Sequence, residues 1–591
     1  MVLTPIDWAS IVVFFVVSLL VGLSVARKSG IDSVEYFAAG RKMPWWLLGT
    51  SMVATTFSTD TPNLVTSIVR NEGVAGNWAW WAFLLTGMLT VFVYAALWQR
   101  SGVLTDIEFY ELRYSGKAAA FLRGFRAIYL GVIFNVLIMA SVTLAAIKIG
   151  AVMLNLTPIQ TILIAGVVTA IYSSLGGLRG VLITDFFQFI LAMIGSVGAA
   201  YVALNHPSVG GLSGLLSHES VRDRLNLFPD FSNTDQALAV FIIPIAVQWW
   251  SVWYPGSEPG GGAFIAQRML AAKDHRNAIG ATFLFNAAHY ALRPWPWILV
   301  ALCSIVVFPD LDSLRAAFPN AANVVDHDMG YSAMLTFLPP GLMGLVVASL
   351  IAAYMSTIST LLNLGSSYVT HDFYQRFIHP ESTEKHLVQV GRITTVLLMA
   401  ASGFIALFLV DAYKTFQIIL QVGAGTGLLF ILRWFWWRIN AVSEIAAMLI
   451  SFAIAYYFAQ INPESGLRPW EQLLVGVAVS TVGWVLVAFI SPATDEAKLI
   501  SFYRKVTPGG PGWRRIRAKV ELEGPAGDDP ATAWKVPQGI LCMVLGCAGV
   551  YSALFATGYW IYGMVPLATG MTLIAVASSF ALFKAWNALL E

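Results

Sequence analysis

Long apolar runs recur along almost the whole of this chain and constrain its fold more than any other feature. About fifteen mostly apolar stretches of roughly 18 or more residues can be marked, one of them shorter. They cover 6–26, 45–69, 80–98, 127–154, 159–173, 181–203, 237–254, 278–307, 342–364, 388–409, 415–435, 439–458, 473–490, 539–555 and 565–583. Only 12% of residues are charged, against about 25% in a soluble domain. Lipid offers backbone groups no hydrogen-bond partners, so segments of this length must bond internally, as helices. The expected class is an all-α, polytopic membrane protein. The first run, 6–26, is long for a signal peptide, contains Asp7 where a basic cluster would stand, and lacks a cleavage pattern, so it reads as a retained helix.

Charge orients the spans. With the N-terminus outside, the cytoplasmic loops carry Arg27, Lys28, Arg41, Lys42, Arg113, Lys117, Arg123, Arg126, Arg268, Lys273 and Arg276, and the basic stretch near 498–519. The outer loops show Asp310, Asp312, Asp326 and Asp328, as the positive-inside rule expects. This predicts a multi-pass protein of the plasma or inner membrane with a cytoplasmic C-terminus. The hydrophilic stretch 491–537 reads as a cytoplasmic linker, and 205–236 as an outer loop able to act as a lid. Cys303, Cys542 and Cys547 sit in apolar segments without ligand spacing, so neither a disulfide framework nor a zinc site is expected. The net charge of +2 implies no partner. The expected partners are the lipid bilayer and a small solute, with no nucleic acid and no obligatory protein partner.

Polar residues interrupt this pattern in a few places. Ser356 and Thr357 lie mid-span in AAYMSTIST, and TTFSTDT (55–61) interrupts the span 45–69. Sodium is a hard cation that wants several oxygen ligands, which a membrane protein supplies from hydroxyls and from carbonyls freed at a helix break. The carbonyls of Ala54, Phe57 and Ala353 with the hydroxyls of Ser356 and Thr357 make such a set. The plainer reading is that these hydroxyls bond back to their own helices. A second break, WYPGSEPGGGAF (253–264), holds two prolines, four glycines and Glu258. His289 and Arg293 in HYALRPWPW are one turn apart, and an intramembrane arginine lines a pathway or pairs with an acid, here Glu258 or Asp60. Lys148 reads as snorkelling from its span end. Asp185 in GVLITDFFQF reads as a charge near a helix N-cap or as an ion-exit residue. Trp78, Trp80, Trp81, Trp249, Trp250, Trp253 and Tyr254 make an interfacial belt or a platform for a flat solute.

The pieces ARKSGIDSVEYFAAGRKMPWW, SMVATTFS, LGGLRGVLITDFFQF, IAQRMLAAK and AAYMSTISTLLNLGSSYVTHDFY, in this order between about residues 20 and 375, resemble the sodium:solute symporter family. The resemblance implies a core of two inverted five-helix repeats of the LeuT type over 45–435. An N-terminal helix and loop (1–44) would precede it. Further helices (436–490), the linker (491–537) and C-terminal helices (538–591) would follow, about four extra helices after the core. It implies sodium ligands at Ala54, Phe57, Ala353, Ser356 and Thr357, and a place for Asp185 in the sodium pathway. His289 stands where galactose symporters place a sugar-contacting lysine. Their third-span glutamate is Ala79 here and their glutamine near the first break is Thr61, so the galactose cage is not reproduced.

The expected function is therefore sodium-coupled import of a small polar organic solute, leaning to sugars, by alternating access. Sodium would be the coupling ion. Solute would lie near Thr61, Trp78, Trp253, Glu258, His289 and Arg293. Alternatives are an amino-acid or carboxylate symporter, a symporter-like sensor, or a membrane-embedded enzyme. The last lacks any nucleophile or metal-ligand set beside Glu258, His289 and Arg293.

Overall fold

Helices are the only extended regular structure among the described residues, apart from one isolated bridge between Met43 and Ala272. The structure, a computed structural model, describes residues 3–251, 258–319, 325–409, 423, 425–522 and 535–590. In chain order the principal helices are α1 (Pro5–Ser29), α2 (Trp45–Thr55), α3 (Asp60–Glu72), α4 (Val74–Ser101), α5 (Gly116–Leu154) and α6 (Pro158–Leu204). There follow α7 (Thr234–Ala246), α8 (Ala263–Ala271), α9 (His275–Val307), α10 (Leu342–Ile378) and α11 (Glu384–Ala406). The chain ends with α12 (Ala441–Ile461), α13 (Pro469–Ile490), α14 (Glu496–Val506), α15 (Arg514–Leu522), α16 (Val536–Ile561) and α17 (Val565–Leu590). Eleven of the described helices are long and apolar enough to cross a membrane.

The remaining expected spans are accounted for individually. Spans 159–173 and 181–203 form one helical run, α6, split at Gly177, whose φ of 54° and ψ of −163° suit glycine rather than a residue with a Cβ. The span 45–69 and the described part of 237–254 are broken helices, and 415–422 and 424 lie outside the described residues.

The first break falls at residues 56–59, between α2 and α3, with Ser58 at a φ of 26°. Pro62 is not its cause. It sits in the first turn of α3, where its missing N–H would be unbonded in any case. The run of poor helix formers before it ends α2 instead.

The second break follows α7, whose helical backbone ends at Val247, with a φ of −133°. It resumes as α8, where the Asp106 carboxylate accepts the Ala263 N–H at 2.8 Å. Gly260 and Gly261 have φ of 88° and 93°, and the Trp98 indole donates to the Gly260 carbonyl at 2.8 Å. A Cβ at Gly260 would stand 2.9 Å from the Tyr94 ring.

Two parts of the chain pack differently from the sequence expectation. Within 491–537, α14 and α15 are docked against the bundle rather than strung as a connection. Trp513 is fully buried, donates to the Trp434 carbonyl at 2.8 Å, stacks on Phe502 and lies under the Arg113 guanidinium. Trp513→Ala should cost about 3–5 kcal/mol, read as a lower melting temperature of detergent-solubilised protein. An unchanged melting temperature would mean that the segment is a loose tether. At the other end, α16 lies along α4 and α9. The Tyr551 hydroxyl donates to the Trp81 carbonyl at 2.8 Å, and the Trp295 indole donates to the Leu554 carbonyl at 2.9 Å.

Candidate functional site

The first break faces the middle of α10, so the two hydroxyl clusters meet. Thr357 Oγ1 donates to the Thr55 carbonyl at 2.6 Å and stands 3.2 Å from the Ala353 carbonyl of its own helix. Thr55 Oγ1 and Thr360 Oγ1 are 2.9 Å apart. Ser356 Oγ donates to Asp185 Oδ1 at 2.7 Å, and Ser51 Oγ of α2 donates to Asp185 Oδ2 at 2.5 Å. Arg268 of α8 donates to Thr360 Oγ1 at 2.7 Å and to Ser51 Oγ, with its guanidinium 3.9 Å from Asp185. Four helices from both broken segments and from α6 and α10 thus converge on one dry polar cluster.

Asp185 is not near an N-cap. It is fully buried inside α6, eight residues past the Gly177 kink, and joins α2 to α10 through its two oxygens. The donor set around residues 54–57 and 353–357 is all oxygen, which suits a hard cation. A hydroxyl that donates one hydrogen bond keeps its lone pairs for a metal, so the observed bonds of Ser356 and Thr357 are compatible with ion ligation.

Beside this cluster a cavity of about 100 Å³ opens between the first break, the start of α4 and α9. Its wall includes Thr55, Thr56, Ser58, Asp60, Thr61, Trp80, Phe83, His289, Tyr290 and Arg293. The turn Ala288–Leu292 of α9 is π-helical, a local widening that recurs at functional sites, and it presents His289 and Tyr290 to the cavity. Arg293 donates to the Val53 carbonyl at 3.1 Å and bonds to the His289 ring, and its guanidinium lies over Trp297 and Phe57.

Of the expected solute residues, Thr61, His289 and Arg293 border this cavity, whereas Trp78 and Glu258 do not. Trp78 is buried in an aromatic cluster with Phe228, Phe241, Tyr551 and Phe555, its indole donating to the Leu227 carbonyl at 3.0 Å. Glu258 is ion-paired with Arg126 of α5 and not with Arg293. Trp253 lies outside the described residues. Lys148 does not snorkel. It is 1% exposed at its side chain and bonded to Asp328 at 2.9 Å.

Trp80, Phe83 and Tyr290 are aromatic residues of the cavity that the expected solute set did not include. Trp80 was visible only as one of several tryptophans, and Tyr290 only as the neighbour of His289. Nothing in the sequence marked Arg126 as the partner of Glu258.

The family pattern described as "Sodium:solute symporter family" matches residues 36–451, which span both breaks and α10. The chain belongs to the sodium:solute symporter family. This symporter is 27% identical over 528 residues to a sodium/glucose cotransporter of Vibrio parahaemolyticus, covering 84% of the chain and 93% of that protein. It is 26% identical over 490 residues to sodium/myo-inositol cotransporter 2 of Oryctolagus cuniculus, covering 77% and 70%. It is 25% identical over 523 residues to a sodium/mannose cotransporter of Bos taurus, covering 83% and 80%. Its fold is similar to that of a Na+-coupled sialic acid symporter solved in a substrate-bound, outward-open state. There the TM-score is 0.65 at 18% identity, covering 83% of this chain and 99% of the other. The symporter is thus a multi-pass membrane transporter rather than an enzyme, with sodium as coupling ion and a small molecule as solute.

Proposed function

We propose that this symporter imports a small polyhydroxylated solute with sodium. The ion is held by the carbonyl oxygens of Ala54, Phe57 and Ala353 and the hydroxyls of Ser356 and Thr357, with Asp185 beside its path. The solute occupies the adjoining cavity, against Thr61, His289 and Arg293, with Trp80 and Tyr290 as its aromatic wall. The observation that carries this reading is the 2.6 Å bond from Thr357 to the Thr55 carbonyl. It brings α10 onto the broken backbone at the edge of the cavity, so one ion there would tie two helices together where a solute lies. Support for a sugar or polyol comes from the glucose, myo-inositol and mannose named for the relatives, and from hydroxyl, acid, base and aromatic groups lining one cavity.

In this reading residues 45–435 form the two five-helix repeats, each opening with a broken helix. Residues 436–490, 491–537 and 538–591 are additions, and the N-terminus lies outside the cell membrane with the C-terminus in the cytoplasm. Solute and ion would each raise the other's affinity, since binding linkage is reciprocal.

A second reading is favoured by one observation. Asp60 and Arg293 line the same cavity, close enough for each to feel the other's charge. An acid and a base so placed also fit a zwitterion. Uptake into proteoliposomes separates the readings. An inward sodium gradient should drive accumulation of at least one of glucose, mannose and myo-inositol, and potassium should not replace sodium. Accumulation confined to amino acids would favour the zwitterion, and binding without flux would favour a sensor.

A further inference from the structure

We propose that Thr56 and His289 are positioning residues through which the wall of the solute cavity sets the sodium affinity. This inference rests on the sodium ligands proposed above. Thr56 lies between Ala54 and Phe57, the two residues whose carbonyls are assigned to the ion, and its side chain points the other way, toward α9. Its Oγ1 stands 3.1 Å from His289 Nδ1, 3.0 Å from the Val53 carbonyl and 3.2 Å from the Met52 carbonyl. Arg293 bonds to the same ring and, through its other terminal nitrogen, donates to the Val53 carbonyl.

Arg293 Nη2 reaches both ring nitrogens of His289, Nε2 at 3.3 Å. A guanidinium can only donate, so one of the two carries the ring's lone pair. With the lone pair at Nδ1, the Thr56 proton has three acceptors within reach, the ring nitrogen and two carbonyls of α2. With a proton at Nδ1, the ring donates to Thr56 Oγ1 and the hydroxyl bonds back to α2. Either bond between Thr56 and His289 ties the broken segment to α9. Residues 53–56 are therefore gripped from two sides, by Thr357 on the ion side and by His289 and Arg293 on the cavity side.

His289 and Arg293 are also wall residues of the cavity. A solute that bonds to either changes the demand on the His289 ring, and with it the Thr56 contact and the set of the 54–57 carbonyls. Neither side chain is a sodium ligand in this account. Their influence passes through the backbone between them.

Sodium alone tests this, because the expected effect does not need the solute. Purified full-length protein in detergent is titrated with sodium chloride, choline chloride keeping ionic strength constant, and sodium-induced stabilisation is followed by thermal shift. Thr56→Val keeps the shape and removes the hydroxyl. It should raise the half-saturating sodium concentration about five- to tenfold, the loss of one buried hydrogen bond, while the sodium-free melting temperature stays near wild type. Thr56→Ser keeps the hydroxyl and should restore the wild-type sodium dependence. His289→Gln breaks the contact from the other side and should weaken sodium like Thr56→Val. It carries the test if the valine variant does not fold. A wild-type half-saturation in Thr56→Val or His289→Gln, or a serine variant as weak as the valine one, overturns the proposal. Thr357→Ala is measured alongside. If it too leaves sodium binding unchanged, the ligand set has failed. If it weakens sodium while Thr56→Val does not, only the positioning role falls.

Discussion

Replacing Ser356 and Thr357 together by alanine should raise the sodium concentration for half-maximal uptake at least tenfold. Both hydroxyls are buried on α10 and already engaged, Ser356 with Asp185 and Thr357 with the Thr55 carbonyl. In the proposed site, removing them costs the ion two ligands, and it leaves a buried carboxylate oxygen and a carbonyl short of a donor. Each loss is worth about 1–3 kcal/mol, and about 1.4 kcal/mol is tenfold in affinity. The two sites are neighbours, so the combined effect need not be the sum. Thr357→Ser, which keeps an oxygen in place, should lie close to wild type. Sodium-dependent uptake measured over a range of sodium concentrations decides it. A half-saturation within twofold of wild type in the double variant would remove these two hydroxyls from the ion site.

A large stability effect is expected from Arg126→Ala. Arg126 and Glu258 have side chains 5% and 2% exposed and are bonded directly. Arg126 bonds Glu258 Oε1, Oε2 has no hydrogen-bond partner among the described residues, and the Arg126 guanidinium is packed over the rings of Tyr110 and Phe430. Truncating one member of such a pair leaves a buried charge without compensation, a loss of about 3–5 kcal/mol. Either Arg126→Ala or Glu258→Ala should therefore lower the melting temperature markedly or prevent recovery of folded protein. The double variant Arg126→Met, Glu258→Leu removes both charges and fills the space, and should regain much of the loss. If the two single variants melt like wild type, water reaches this pair and the packing described around it is wrong.

How much of this could be read beforehand differs from residue to residue. The helical class and the two breaks were legible because lipid enforces them: a span either bonds its own backbone or must find partners for it. The meeting of residues 54–57 with 353–357 was legible for a related reason, since hydroxyls at that depth need a destination. The partners of buried charges were not legible. Glu258, Arg293 and Lys148 were each recognisable as charges requiring compensation, but their partners are Arg126, His289 with the Val53 carbonyl, and Asp328. These contacts span wide gaps in sequence and carry no local periodicity. The same holds for Trp513. Gly- and Pro-rich composition around it reads as a connection, whereas one indole placed against Trp434 and Arg113 is enough to seat two helices.

The placement of α16 also bears on how solute preference could change. This helix packs along α4, α9 and α17, supports Trp81 next to Trp80 and holds Trp295 two residues beyond Arg293. Substitutions along it can tilt the aromatic side of the pocket while the ion ligands keep their geometry. Diversification of cargo in such a chain therefore has a route through α16, distinct from substitution of the proposed ion ligands.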